Sequence, residues 1–210
     1  MIILKVWVGS LALLAAISLP LQAASPVTVG SKIDTEGALL GNIILQVLES
    51  HGVKTVNKVQ LGTTPVVRGA ITSGELDIYP EYTGNGAFFF KDENDAAWKN
   101  AQQGYEKVKK LDFEQNKLVW LTPAPANNTW TIAVRKEMAE KNKLTSLADL
   151  SGYLKKGGAF KLAASAEFIE RADALPAFEK AYDFKLDQKQ LLSLAGGDTA
   201  VTIKAAAQQP

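Results

Sequence analysis

The order of apolar patterns along the chain predicts an α/β fold with a mostly parallel sheet. Strand-like alternation gives way repeatedly to 3.6-residue helical spacing, and Gly and Pro punctuate the changes. The 210 residues are 47% hydrophobic, 21% charged and 8% aromatic, which excludes disorder, collagen-like repeats and a coiled coil and leaves enough apolar mass for a core.

Taken in order, Pro26 to Gly30 alternates apolar and polar residues and reads as the first strand. Leu39, Leu40, Ile43, Ile44, Val47 and Leu48 then recur at helical spacing, which predicts a helix over 35–50 with Gly52 as its stop. Val56 to Leu61 is the next strand, Thr63 or Thr64 with Pro65 opens a short helix ending near Gly74, and Leu76 to Tyr79 is a third strand. After Asn94 a polar helix carries Trp98, Tyr105 and Val108. Extended runs at Lys117 to Leu121 and Trp130 to Val134 flank a turn with Pro123, Pro125, Asn127 and Asn128. That turn is the expected crossing between two lobes, because prolines stiffen a connection. A helix at 147–154, a strand at 160–164, a helix at 175–181 and a last helix opened by Asp198 follow. No strand follows that helix, so the domain is expected either to be small and complete or to be cut short.

The N-terminus reads as an address. Met1 to Lys5 brings one positive charge, Val6 to Leu19 is uncharged and apolar, and Pro20 precedes Leu21-Gln22-Ala23-Ala24. This is a secretory signal peptide over 1–23 cleaved after Ala23, since the apolar run is shorter than the roughly 18–20 residues of a membrane span. The chain has no cysteine to carry a lipid anchor, so the expected location is the periplasm.

Charge and residue counts exclude several function classes. With 23 basic and 22 acidic residues the net charge is +1, which gives no electrostatic case for nucleic acid. Zero cysteines and a single histidine leave neither a thiolate nucleophile nor a multi-histidine metal site. His51 falls at a helix end, where it caps free carbonyls. Walker, dinucleotide and nucleophile-elbow motifs are missing from the sequence. Glu81, or Glu170 with Asp173, has no nucleophile or cofactor beside it, so an enzyme, a cofactor and a metal are not expected.

The densest constellation is Gly74-Glu75-Leu76-Asp77-Ile78-Tyr79-Pro80-Glu81-Tyr82-Thr83-Gly84. It places Tyr79, Tyr82 and Thr83 at the C-terminal end of a strand, where α/β sheets put ligands. Two tyrosines there present ring faces to a cation, or one ring is core and Glu81 serves backbone amides. Trp130, after Asn128, offers the strongest cation–π face, or continues a core register with Ile132 and Val134. Arg171 and Lys32 are carboxylate grips, or an ion-paired and a solvated side chain.

Together Gly30-Ser31-Lys32, Leu61-Gly62-Thr63, the 74–84 run, Asn128-Thr129-Trp130 and Glu167-Phe168-Ile169-Glu170-Arg171 resemble the osmoprotectant-binding proteins of ABC transporters. The resemblance covers the chain after its leader. It implies a two-lobed periplasmic binding protein of type II-like architecture with mixed, mostly parallel sheets. It also implies a monomer that closes on glycine betaine, choline or a related quaternary amine and serves a membrane permease with a cytoplasmic ATPase. Tyr82 and Tyr79, with Thr83 beside them, match the aromatic wall of the first lobe. Trp130 stands where the family has tyrosine, Asn128 precedes it, and Arg171 and Lys32 match positions that hold the betaine carboxylate. The family has Asp-Gly where this chain has Asp173-Ala174, which is expected to alter that turn. By resemblance, lobe 1 begins at 24–121, lobe 2 at 122–210 is incomplete, and the return segment to lobe 1 is missing. A ligand-sensing module of the same fold and a non-functional fragment are the competing readings.

Overall fold

A computed structural model describes residues 25–194 and 199–208; the expected signal peptide and the Asp198 helix start lie outside them. The first half is built on strand β1 (Val27–Lys32), helix α1 (Thr35–Ser50), strand β2 (Thr55–Gly62) and helix α2 (Thr64–Thr72). Strands β1 and β2 pair in parallel, Val27 opposite Thr55, as a β–α–β crossover requires. Helix α1 starts where Asp34 accepts the Gly37 N–H at 2.7 Å. It ends at His51, whose Nδ1 lies 2.8 Å from the Val47 carbonyl, followed by Gly52 at φ +76°, so the capping reading of His51 matches the geometry.

The helical period of α1 is right, but its buried edge is Gly37, Gly41 and Leu45. Leu39, Ile43 and Val47 are exposed. The reason is close approach: a Cβ on Gly41 would lie 2.8 Å from Val59, so the glycine edge brings the helix against the sheet.

The third strand expected at 76–79 is reduced to one parallel bridge, Val29 to Ile78. Pro80 has no N–H with which to extend a ladder, and the Asp77 carboxylate takes the Thr28 N–H at 2.7 Å. The core here is Val67, Ala70 and Ile71 from α2 with Leu76, and Tyr79 and Leu118 pack on it. A short helix α3 (Gly86–Phe89) follows, and the polar helix expected after Asn94 is split into a 3-10 turn at Ala96–Lys99 and helix α4 (Ala101–Asn116). The break is Asn100, which caps α4 by accepting the Gln103 N–H at 3.0 Å.

Residues 117–135 contain no regular element, so the two extended runs beside the prolines join no ladder. Beyond them lie α5 (Lys136–Asn142), α6 (Leu147–Lys155), strand β3 (Leu162–Ser165), α7 (Ala166–Glu170), α8 (Leu175–Tyr182), strand β4 (Leu191–Leu194) and α9 (Thr199–Gln208). Strands β3 and β4 form a second parallel pair, Leu162 opposite Leu191. Its core joins Leu162, Ala164, Phe168, Ala174, Leu175, Phe184 and Leu186. At the Asp173-Ala174 departure, Ala174 is fully buried, takes φ −114° and ψ −120°, outside the regular α and β regions, and donates its N–H to the Arg171 carbonyl at 3.0 Å.

Candidate functional site

Lys32 is the last residue of β1, at a place where the β1–β2 register slips between Gly30 and Lys32. There Gln60 takes φ +61° and gives its N–H to the buried Ser31 Oγ at 2.8 Å. A bulge of this kind re-aims the residue beside it. Lys32 turns to Glu81, with Nζ 2.5 Å from Oε1 and both side chains buried at 8% and 5% exposure. Its ammonium also lies 4.5 Å from the centre of the Tyr82 ring.

Glu81 gathers the segment around itself. Its Oε1 accepts the Tyr82 N–H at 2.7 Å and Asn85 Nδ2 at 2.8 Å, and its Oε2 accepts the Tyr79 hydroxyl at 3.0 Å. Burial and the adjacent Glu81 charge push the Tyr79 hydroxyl well above its ordinary range, against the lowering influence of Arg68. Burial likewise raises Tyr82, where a hydrogen bond involving Asn128 lowers it and the Glu36 carboxylate adds to the rise. Asn128 donates from Nδ2 to that same Glu36 carboxylate. Thr83 opens the 3-10 turn Thr83–Asn85 and is half-buried beside Tyr82.

A second ionic cluster comes from the distant end of the chain. Ser165 caps α7 by accepting the Phe168 N–H at 3.2 Å, and Arg171 follows the helix end with its side chain 7% exposed. Nε and Nη2 of Arg171 grip Asp173 at 2.8 and 2.6 Å, Nη1 holds Glu167 at 2.8 Å, and Nη2 donates to Asn85 Oδ1 at 2.9 Å. Burial opposes the guanidinium charge, but the hydrogen bonds to Asp173 and Glu167 outweigh it and raise the pKa. The guanidinium lies over two rings, 4.3 Å from the centre of Phe88 and 4.7 Å from that of Trp130. Trp130 in turn meets Phe168 edge-on at 5.5 Å and is 39% exposed.

The structure therefore gathers the expected residues into two linked groups, Lys32, Tyr79, Tyr82 and Thr83 around Glu81, and Trp130 with Arg171. Asn128 lies beside the first group through Glu36. Of the alternatives for Arg171 the structure shows the ion pair, with Glu167 and Asp173, but buried rather than at the surface. Glu81 does serve a backbone amide, and it is also the counter-ion of Lys32. Sequence reasoning missed Asn85 and Phe88 as members of the cluster, and named Glu167 only as an ion-pair partner of Arg171. Asn85 lies within the Gly84-Asn85-Gly86 turn signal, but nothing local marks its partner 86 residues away. A groove of about 540 Å³ lined in part by Pro65, Arg68, Phe88, Phe89 and Ala172 adjoins the cluster. Among the described residues no group of acidic or histidine side chains could hold a metal ion, and no helix is long and apolar enough to cross a membrane. In chemical terms the cluster joins buried ion pairs to aromatic rings whose faces meet protein cations.

Residues 25–209 match the family model described as the substrate binding domain of an ABC-type glycine betaine transport system. The chain is 90% identical over 207 residues to the glycine betaine-binding protein YehZ of Escherichia coli (strain K12), covering 99% of this chain and 68% of that protein. It is 30% identical over 190 residues to a glycine-betaine-binding protein of Pseudomonas aeruginosa, covering 88% of this chain and 60% of the relative. Among solved structures it is similar to apo YehZ from Escherichia coli, with a TM-score of 0.56 and 92% identity over 89% of this chain and 66% of that one. The chain thus spans between 60% and 68% of the length of these relatives.

Proposed function

Because the chain belongs to the family of substrate-binding domains of ABC-type glycine betaine transport systems, we propose that it captures glycine betaine or a related quaternary amine such as choline for an ABC importer. One observation carries the assignment to this site: Tyr82 and Trp130 already hold cations on their faces, Lys32 at 4.5 Å and Arg171 at 4.7 Å. A ring that draws a protein ammonium or guanidinium offers the same quadrupole to a trimethylammonium group, whose diffuse charge is easily desolvated. In this reading the ligand ammonium takes the faces of Tyr82 and Trp130, with Tyr79, Thr83 and Asn128 shaping the wall. Lys32 and Arg171, relieved from those faces, meet the ligand carboxylate.

Residues 24–121 supply the first lobe and 122–210 the second. The work is binding and release rather than catalysis. The loaded protein is recognised by a permease coupled to a cytoplasmic ATPase, and removal of residues 1–23 leaves a periplasmic monomer. Calorimetric titration of the chain with glycine betaine and with choline tests the reading. Saturable binding of at least one is expected, and Trp130→Ala weakens it by about 1–2 kcal/mol, or about 5- to 30-fold. A folded protein that binds neither overturns the proposal.

A further inference from the structure

Asn85 occupies a position that the quaternary-amine reading does not explain. Its amide makes two hydrogen bonds to opposite charges: Nδ2 donates to the Glu81 carboxylate at 2.8 Å, and Oδ1 accepts from the Arg171 guanidinium at 2.9 Å. A carboxylate only accepts and a guanidinium only donates, so the amide orientation is fixed by its partners. Glu81 in turn holds Lys32, and Arg171 lies under Trp130. The one side chain therefore connects both cations and both aromatic faces. A second link runs in parallel, the Thr64 N–H at the start of α2 donating to Glu167 Oε2 at 3.2 Å.

We propose that Asn85 is a positioning residue of the ligand site, setting the Glu81–Lys32–Tyr82 group and the Arg171–Trp130 group at the separation that one ligand spans. The chemistry singles out an amide. An aspartate would place a second carboxylate against Glu81, and an alanine would leave Glu81 short of a donor and Arg171 short of an acceptor. The inference rests on reading these two groups as the quaternary-amine site.

The test uses the full 210-residue chain with glycine betaine and choline as probes and three variants, Asn85→Ala, Asn85→Asp and Arg171→Ala. Asn85→Ala is expected to weaken binding at neutral pH about tenfold or more, since two hydrogen bonds to charged groups are lost. Asn85→Asp is expected to be at least as weak at neutral pH and to recover as the pH falls toward about 4, because a protonated carboxylic acid donates to Glu81 and accepts from Arg171 as the amide does. The charged groups facing the position are Glu81 with Lys32 on one side, and Arg171 with Glu167 and Asp173 on the other. These remain in every Asn85 variant, so wild type and Asn85→Ala give the background against which the recovery is read. A merely structural role would not produce that recovery.

Equal affinity for wild type and Asn85→Ala overturns the proposal, as does an Asn85→Asp profile parallel to that of Asn85→Ala. If Asn85→Ala fails to fold, the Asn85→Asp profile against wild type decides alone. Urea midpoints of Asn85→Ala, Arg171→Ala and the double variant measure the bridge without ligand, and a double effect smaller than the two single effects combined is expected. Coupling without binding of either amine sinks the transport reading and the binding role of Asn85 with it. Binding without coupling sinks the role of Asn85 alone.

Discussion

Replacing Glu81 by alanine tests the most buried charge arrangement in the site. The Lys32 and Glu81 side chains are 8% and 5% exposed and 2.5 Å apart, so the variant leaves a largely buried ammonium without its counter-ion. Breaking a buried pair from one side costs about 3–5 kcal/mol. The Tyr79 hydroxyl and the Asn85 amide also lose their acceptor, but these effects share one site and are not summed. With a urea m value of about 2 kcal/mol/M, the expected fall in the unfolding midpoint is about 1.5–2.5 M. The assay is equilibrium urea unfolding of wild type and variant at pH 7. Lys155→Ala serves as the control, because its pair with Asp183 is 53% and 91% exposed, and such pairs often contribute nothing measurable. A midpoint for Glu81→Ala within about 0.5 M of wild type at pH 7 would refute the argument, because a pair broken at so little cost is a solvated one.

Two further outcomes follow from buried charges elsewhere. Asp112, with no exposed side-chain surface, accepts both Nη groups of Arg68, Trp120 Nε1 at 2.6 Å and Asn116 Nδ2 at 2.8 Å. Asp112→Ala is therefore expected to lower stability by about 3–5 kcal/mol in urea unfolding, and a loss under about 1 kcal/mol would contradict the geometry. Burial opposes the Glu167 charge, but hydrogen bonds from Thr64 and Arg171 outweigh it and hold the carboxyl below its ordinary range. Its contribution is then full above an unfolded value of about 4.3 and is lost as the pH falls through the lowered folded value. Glu167→Gln is expected to flatten the decline of the urea midpoint between pH 5 and pH 3, and an unchanged slope would count against this role.

Much of the fold was legible because its causes are local. The helical period after Thr35 and the stop at Gly52 mark α1 in the sequence, and Pro65 marks the start of α2, since these signals act within a few residues. Strand β4 carried no such mark: Leu191-Leu192-Ser193-Leu194 is a short apolar run that becomes a strand by pairing with β3. The same division runs through the site. Residue types marked Tyr82 and Trp130 as candidate cation faces with a core alternative, and Lys32 and Arg171 as candidate carboxylate grips with a solvated or ion-paired alternative, and the family resemblance chose between them. Which carboxylate Lys32 meets was decided by tertiary structure, because Lys32 and Glu81 lie 49 residues apart, and so was the Asn85–Arg171 contact across 86 residues, whereas the carboxylates of Arg171, Glu167 and Asp173, are its neighbours in sequence. Side-chain chemistry is a property of the residue and is written in the sequence. The removal of water that makes a pair strong, and the few ångströms that make it a pair, exist only once the chain has folded.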